Sequence, residues 1–336
     1  MPAPRYTRLA VLVVSITGIT AAVAGGLLAG ASARPLGPVG DVAAHKHNGR
    51  IVFQAVVGRF PQVFTIEPDG SGLTQITHVP SKDPGAENPV WSPDGSTIAF
   101  DAKAGKGVNV FTLTAGKGPR PLPLGVGAFN GDPAYSGDGA HISFDQDVGP
   151  AAPKVHGIFI ANADGSNAHR VTTGIRTTQA FETQSQWSPD GKRLVFMSVK
   201  NSKQAAICVV NVDGTGLKRL TPWSLDAGNP DWSPDGREIL FNPYWDPHPG
   251  KFSNIYSMRP DGSHKIQLTH ARRGVQSFAP AWSPDGRMIV FVRFTPAGKK
   301  NGRLDLFTMG RDGTHLRRIT HMPQAFPTNP DWGTAP

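Results

Sequence analysis

The chain has 336 residues, with 39 glycines, 31 prolines and one cysteine. A single cysteine excludes an intrachain disulfide and a cysteine-based zinc site, and the wealth of Gly and Pro suits a protein built of many tight turns. The formal charge of +9 admits an anionic partner, although Arg5, Arg8 and Arg34 of that surplus lie in or beside the N-terminal leader.

Residues 1–33 read as a signal peptide. Arg5 and Arg8 form a positive start, Leu9 to Leu28 carries no charge, and Ala31-Ser32-Ala33 offers a small-residue cleavage site before Arg34-Pro35. The apolar run also has the length of a membrane span, so a retained signal anchor is the alternative. Contact with a membrane is expected only through such an uncleaved segment. Residues 34–48 show no periodicity and read as a disordered lead-in.

From residue 49 to 336 the chain repeats itself. The first unit opens on Ile51-Val52-Phe53 and continues through Val63-Phe64-Thr65-Ile66, Asp69-Gly70 and Ile76-Thr77. It has no Trp-Ser-Pro-Asp-Gly before it. That motif then recurs at Trp91, Trp187, Trp232 and Trp282, with a degenerate copy at Tyr135 and a truncated one, Pro330-Asp331-Trp332-Gly333, at the end. The spacing is about 44 to 52 residues, within the range of propeller blades.

The complete copies are followed by an apolar triplet ending in Phe and a second apolar strand, and most of them then by an Asp-Gly turn and a strand ending Leu-Thr or Ile-Thr, as at Leu220-Thr221, Leu268-Thr269 and Ile319-Thr320. Four short strands joined by hairpins make one blade. Ser-Pro-Asp-Gly is turn chemistry, so its aspartates are expected to be structural, and the Trp before it is expected to wedge between blades. Cys208 lies in the run Ile207-Cys208-Val209-Val210 and reads as a small buried hydrophobe. The first unit lacks an innermost strand, and the C-terminal Asn329-Pro330-Asp331-Trp332 supplies one. The expected fold is therefore all-β: a six-bladed β-propeller of four-stranded blades, its ring closed by the C-terminal strand completing the first blade, so that no edge is left open.

These repeats resemble the WD-like propeller repeats of the TolB family over about residues 49 to 333. The resemblance implies a TolB-like propeller, without the α/β domain that precedes it in TolB. It also implies an envelope or secreted location. It says less about function, because one fold hosts many.

The sequence holds no Gly-x-Ser-x-Gly elbow and no His-Glu-x-x-His pair, and no cofactor, metal or catalytic residue is predicted. His78, His270 and His321 recur at one repeat position on different blades, too far apart to share a metal. Candidate ligand-binding residues lie on the face that carries the long loops. Asn88, Asp132, Gln184, Asn229 and Asn329 stand three residues before the Trp or Tyr of their repeat, with Ala279 in the sixth place, and could ring the channel mouth. Trp223, Tyr244 and Trp245 are aromatics outside the repeat pattern, expected side by side with Asp226, Asp246 and Lys251 at their rim. Lysines of the middle loops, such as Lys103, Lys106 and Lys200, would suit an anionic surface.

The expected function is that of an exported, monomeric, non-catalytic binding module for an envelope protein or an anionic wall polysaccharide. The alternative is a secreted polysaccharide-acting lyase or hydrolase using Asp83, Glu87, Glu182, Asp226, Arg272 or Arg273 on the same face. Nucleic acid is not expected as a partner, since no basic helix or stacking platform is present.

Overall fold

The computed structural model describes residues 47–78, 85–125, 129–148, 155–172, 180–200, 204–244, 252–272, 274–297, 301–323 and 325–335. The signal segment and nearly all of the lead-in lie outside these residues. The first strand already begins at Asn48, and His47 accepts a backbone hydrogen bond from Ala335 at 2.8 Å.

Alternating apolar residues produce short strands, and the strands run as antiparallel meanders. The first contains β1 (Asn48–Val57), β2 (Phe60–Ile66) and β3 (Thr74–Gln75). The next contains β4 (Ala86–Trp91), β5 (Thr97–Ala104), β6 (Gly107–Thr114) and β7 (Arg120–Pro121). Then come β8 (Phe129–Tyr135), β9 (His141–Val148), β10 (Val155–Asn162) and β11 (His169–Arg170). They are followed by β12 (Ala180–Trp187), β13 (Arg193–Lys200), β14 (Gln204–Asn211) and β15 (Lys218–Arg219). A further meander holds β16 (Ala227–Trp232), β17 (Ile239–Pro243), β18 (Tyr256–Met258) and β19 (Ile266–Gln267). The last holds β20 (Gln276–Trp282), β21 (Met288–Ala297), β22 (Asn301–Gly310) and β23 (Arg317–Arg318), and β24 (Pro327–Thr334) ends the described chain.

The molecule is an all-β propeller. Four of its sheets have four strands each, where the sequence predicts separate four-stranded blades throughout. The strands β4 to β11 instead share one eight-stranded sheet, because the start of β8 lies against β6 closely enough for a single parallel pairing, Val108 with Phe129. The ring closes as expected: β24 pairs antiparallel with β1, setting Ile51 opposite Trp332 and Val52 opposite Asp331.

The core lies between neighbouring meanders. Trp232 packs with Val195, Ile207 and Leu220 of the preceding meander, and Trp282 with Leu240, Ile255 and Leu268. Trp332 does the same against Val290, Leu306 and Ile319. Each triplet Phe is fully buried, and all but Phe196 face an aromatic across the hairpin, as in Phe53–Phe64 at 5.7 Å, Phe144–Phe159 at 5.8 Å and Phe291–Phe307 at 6.0 Å between centroids. Cys208 occupies the corresponding place opposite Phe196. Burial pushes its thiol up to about 12, so it remains an inert packing group.

Two local devices recur. In the Ser-Pro-Asp-Gly turns, Gly95 donates to the carbonyl of Ser92 at 2.9 Å, while Asp94 Oδ1 accepts from the Ser92 hydroxyl at 2.5 Å and the Ser96 N–H at 3.0 Å. These bonds hold the Asp94 carboxyl below its ordinary range, which is the mark of a structural turn residue. In every unit but β4–β7, a closing threonine accepts a strand N–H: Val63 to Thr77, Ile158 to Thr172, Ile207 to Thr221 and Ile255 to Thr269, each at 2.9 Å, and Leu306 to Thr320 at 2.8 Å.

Candidate functional site

The innermost strands β4, β8, β12, β16, β20 and β24 line the central channel, and each bulges against its neighbour at a corresponding point. The breaks fall between Glu87 and Val90, Gly131 and Ala134, Thr183 and Gln186, Gly228 and Asp231, and Phe278 and Ala281; the β24 break lies opposite Val52 and Gln54. At every break one residue is left-handed: Asn88 (φ 49°), Asp132 (47°), Gln184 (56°), Asn229 (51°), Ala279 (48°) and Asn329 (48°). These are the residues singled out in the sequence as a polar ring. Asn and Asp tolerate the left-handed region better than most residues, so the bulge accounts for much of their polarity.

The side chains of this ring hold neighbouring meanders together. Gln184 donates through Nε2 to Asn229 Oδ1 and accepts the Asn229 N–H on Oε1, both at 3.0 Å. Asn329 Nδ2 donates to Asn88 Oδ1, closing the ring where the two ends of the chain meet. The Asn88 N–H is taken by Gln54 Oε1 at 2.6 Å, and that of Ala279 by Asn242 Oδ1 at 3.2 Å. Thr183 donates its hydroxyl to Asp132 Oδ2.

A second ring was missed in the sequence. It consists of the residue directly after each triplet Phe: Gln54, Asp101, Asp145, Met197, Asn242 and Val292. Its signal was present, a polar or acidic residue following a repeated Phe. Asp101, on the second strand of its meander, lies close enough to Asn88 and to the Asp132 backbone for both to favour its charged form.

Four carboxyls therefore meet on one arc of the wall. Glu87 and Asp101 are cross-strand partners, and Asp145 is paired with Gly131, beside Asp132. Burial, then the charge of Asp132, pushes Glu87 up to about 7. Burial raises Asp101 well above the carboxylate range, reinforced by Asp132 and Glu87. It does the same for Asp145, reinforced by Asp132 and Asp101. Asp132 is raised by burial against the opposing bonds from Thr183 and the Gln184 N–H. Elsewhere on the innermost strands, Asp231 accepts the Trp282 N–H and Asp331 the Trp91 N–H, each at 2.7 Å. Burial pushes these two up to about 7 and about 6.

The aromatic patch is partly as expected. Trp223 opens a single 3₁₀ turn, Trp223–Leu225, and is half-buried, with the Arg219 guanidinium 5.3 Å from its ring centre. The Tyr244 N–H donates to the Leu225 carbonyl at 3.3 Å, so the two loops lie side by side. Trp245, Asp246 and Lys251 fall outside the described residues. Asp226 is not a rim contact: it is buried, left-handed (φ 51°), and accepts the Ala205 N–H at 2.8 Å. Among the enzyme candidates, Glu182 is buried and accepts the Thr172 hydroxyl, Glu87 joins the carboxyl arc, and Asp83 and Arg273 lie outside the described residues. His78, His270 and His321 are each exposed.

The closed ring of meanders and its polar channel define a β-propeller. The chain belongs to the TolB β-propeller domain family, whose sequence profile matches residues 71–277. It is 35% identical over 79 residues to the Tol-Pal system protein TolB of Alcanivorax borkumensis, covering 24% of this chain and 17% of that protein. It is 28% identical over 213 residues to an uncharacterized protein of Agrobacterium fabrum, covering 62% of this chain and 66% of the relative. The chain thus spans less than two thirds of either relative's length. A solved structure of a putative TolB from Agrobacterium tumefaciens superposes with a TM-score of 0.64 at 20% identity, over 84% of this chain and 98% of that one, which shows a shared fold.

Proposed function

We propose that this chain is an exported, non-catalytic six-bladed β-propeller that binds a protein of the cell envelope at its channel mouth. Each four-strand meander is read as one blade, and the eight-stranded sheet as two blades sharing one ladder step. Export rests on residues 1–33 as a cleaved signal peptide, with the propeller over residues 49–336. The observation that carries the reading is the channel wall itself, a ring of amide and carboxyl side chains at the end where the longer loops emerge. Such a wall offers hydrogen bonds to a chain entering the mouth. Glu87, Asp101, Asp132 and Asp145 give a polyanion no cation to pair with and ionise most readily beside a cationic group, which favours the protein partner over an anionic wall polysaccharide at this site. The relative named for the Tol-Pal system accords with a partner-binding role.

Trp223 and Tyr244 extend the surface beyond the channel. Half-exposed aromatics of this kind are frequent anchors of protein interfaces. The test is chemical cross-linking of the tagged full chain in its own cells, followed by mass spectrometry. The expected result is one envelope protein, recovered at least about tenfold less by the double variant Trp223→Ala, Tyr244→Ala. Recovery of wall glycan alone, or equal recovery by both proteins, overturns the reading.

A further inference from the structure

Four carboxyls of this basic protein gather on one arc of the channel wall, apart from Asp231 on β16 and Asp331 on β24. Of the residues that follow the triplet Phe, Met197 and Val292 are buried in hydrophobic clusters, while Asp101 and Asp145 are successive. With Glu87 and Asp132 they form an arc built from β4, β5, β8 and β9. Three of these carboxyls feel the charge of their neighbours: Glu87 is acted on by Asp132, Asp101 by Asp132 and Glu87, and Asp145 by Asp132 and Asp101.

Two acceptor atoms in this arc lack a partner. Asp101 is 5% exposed, and its Oδ1 accepts no hydrogen bond; Asp145 is half-buried, and its Oδ1 is likewise enclosed and unpaired although Thr183 favours the charged form of its carboxyl. A buried acceptor without a donor is costly, and here two occur within one group of like charges. No lysine or arginine among the described residues forms an ion pair with any of the four. Glu87, Asp132 and Asp145 nevertheless keep part of their surface open, so the arc is reachable along the channel.

The spacing says what kind of donor fits. Among the described residues, no three His, Cys, Asp or Glu side chains converge closely enough to hold a metal ion. A guanidinium is larger and planar, with five N–H donors in a fixed fork, and an ammonium has three. Either can bridge carboxylates that stand too far apart for one small ion. We propose that Glu87, Asp101, Asp132 and Asp145 form a binding site for an organic cation, a guanidinium or primary ammonium group entering from the channel mouth. This site rests on the channel-mouth reading above only for its location.

Binding of such a cation favours the ionised carboxylates, whose protons burial and mutual repulsion otherwise retain. Uptake is therefore expected to release protons and to strengthen as pH rises from 5 to 8. The probes are agmatine, spermidine, a blocked tripeptide with a central arginine, the same tripeptide with citrulline, and calcium chloride. Isothermal titration of the full chain is expected to show binding of the cationic probes and at least about tenfold weaker binding of the citrulline peptide. Asp145→Asn and Asp101→Asn are each expected to weaken binding about tenfold or more, and Asp164→Asn, on an exposed turn, to leave it unchanged. Melting curves identify any variant that fails to fold; Asp145→Asn, at a partly open position, then carries the test alone. Preference for the arginine peptide over agmatine and spermidine assigns the cation to a partner side chain, and the reverse assigns it to a free polyamine. No binding at millimolar probe, binding indifferent to Asp145→Asn, or saturation by calcium alone overturns the site. Failure here leaves cross-linking to an envelope protein unaffected, and failure of the cross-linking leaves this titration unaffected.

Discussion

At the residue scale, the recurring Leu-Thr and Ile-Thr endings have a specific task. Each threonine hydroxyl takes a buried strand N–H that lacks a ladder partner, as Thr221 does for Ile207 at 2.9 Å. Thr221→Val keeps the shape and removes the acceptor. Leaving that N–H unsatisfied costs about 1–3 kcal/mol, so the melting temperature is expected to fall by several degrees and to recover in Thr221→Ser. Asp231 makes a second prediction. Burial pushes its carboxyl up to about 7, so the folded protein holds a proton that the unfolded chain, with a pKa near 4, has already lost. Its contribution to stability is therefore fully present below about pH 4 and is lost as pH rises through about 7. Asp231→Asn retains an acceptor for the Trp282 N–H. Denaturant unfolding at a series of pH values between 4 and 8 is expected to show a shallower decline for this variant than for the parent.

At the element scale, the Asp-Gly hairpins act on their neighbours as well as on themselves. Gly262 sits at φ +86°, and a Cβ built there would lie 2.9 Å from the Leu220 carbonyl oxygen of the adjacent meander. Both the left-handed backbone and the close approach demand glycine. Gly262→Ala is expected to cost about 1–2 kcal/mol or more, read as a lower urea midpoint. The sequence showed these turns clearly because their chemistry is local. Asp261 and Gly262 are read from two adjacent letters. It did not show the second ring of the channel, since Gln54, Asp101, Asp145 and Asn242 share only a position after Phe and vary in type. It suggested the polar ring from Asn88 to Asn329, but the left-handed bulge behind that polarity depends on a register break that only pairing with the next strand creates.

At the scale of the whole molecule, the ring is held by its ends and by ties across its seams. Trp332 is 5% exposed and donates its indole N–H to the Gly49 carbonyl at 3.1 Å. Arg311 ties two meanders, with its guanidinium 5.1 Å from the Trp282 ring centre and an ion pair to Asp235 at 2.8 Å. Removal of residues 329–336 deletes most of β24 and the Trp332 wedge. Loss of a core tryptophan alone costs about 3–5 kcal/mol, a large part of a domain's net stability. The truncated protein is expected to melt far lower or to aggregate from its exposed β1 edge, and unchanged melting would count against closure as the source of stability. The export reading belongs to this scale as well: mass spectrometry of native protein is expected to find an N-terminus close to Arg34.

The sequence by itself determined the repeat, the turn chemistry and the closure of the ring. Ser-Pro-Asp-Gly specifies its own backbone, period-two patterning specifies strands, and an opening unit without an inner strand requires one from the C-terminus. Tertiary structure alone decided where charge gathers. Glu87, Asp101, Asp132 and Asp145 come from four strands in two meanders, and no short-range pattern couples them. Packing the meanders around one axis places their carboxyls against each other in a low-dielectric wall. Likewise, Asp226 is legible as a polar loop residue, yet the fold turns it inward to cap Ala205. A side chain's environment is set by whatever packs against it, and most of what packs against these residues lies tens of positions away in the chain.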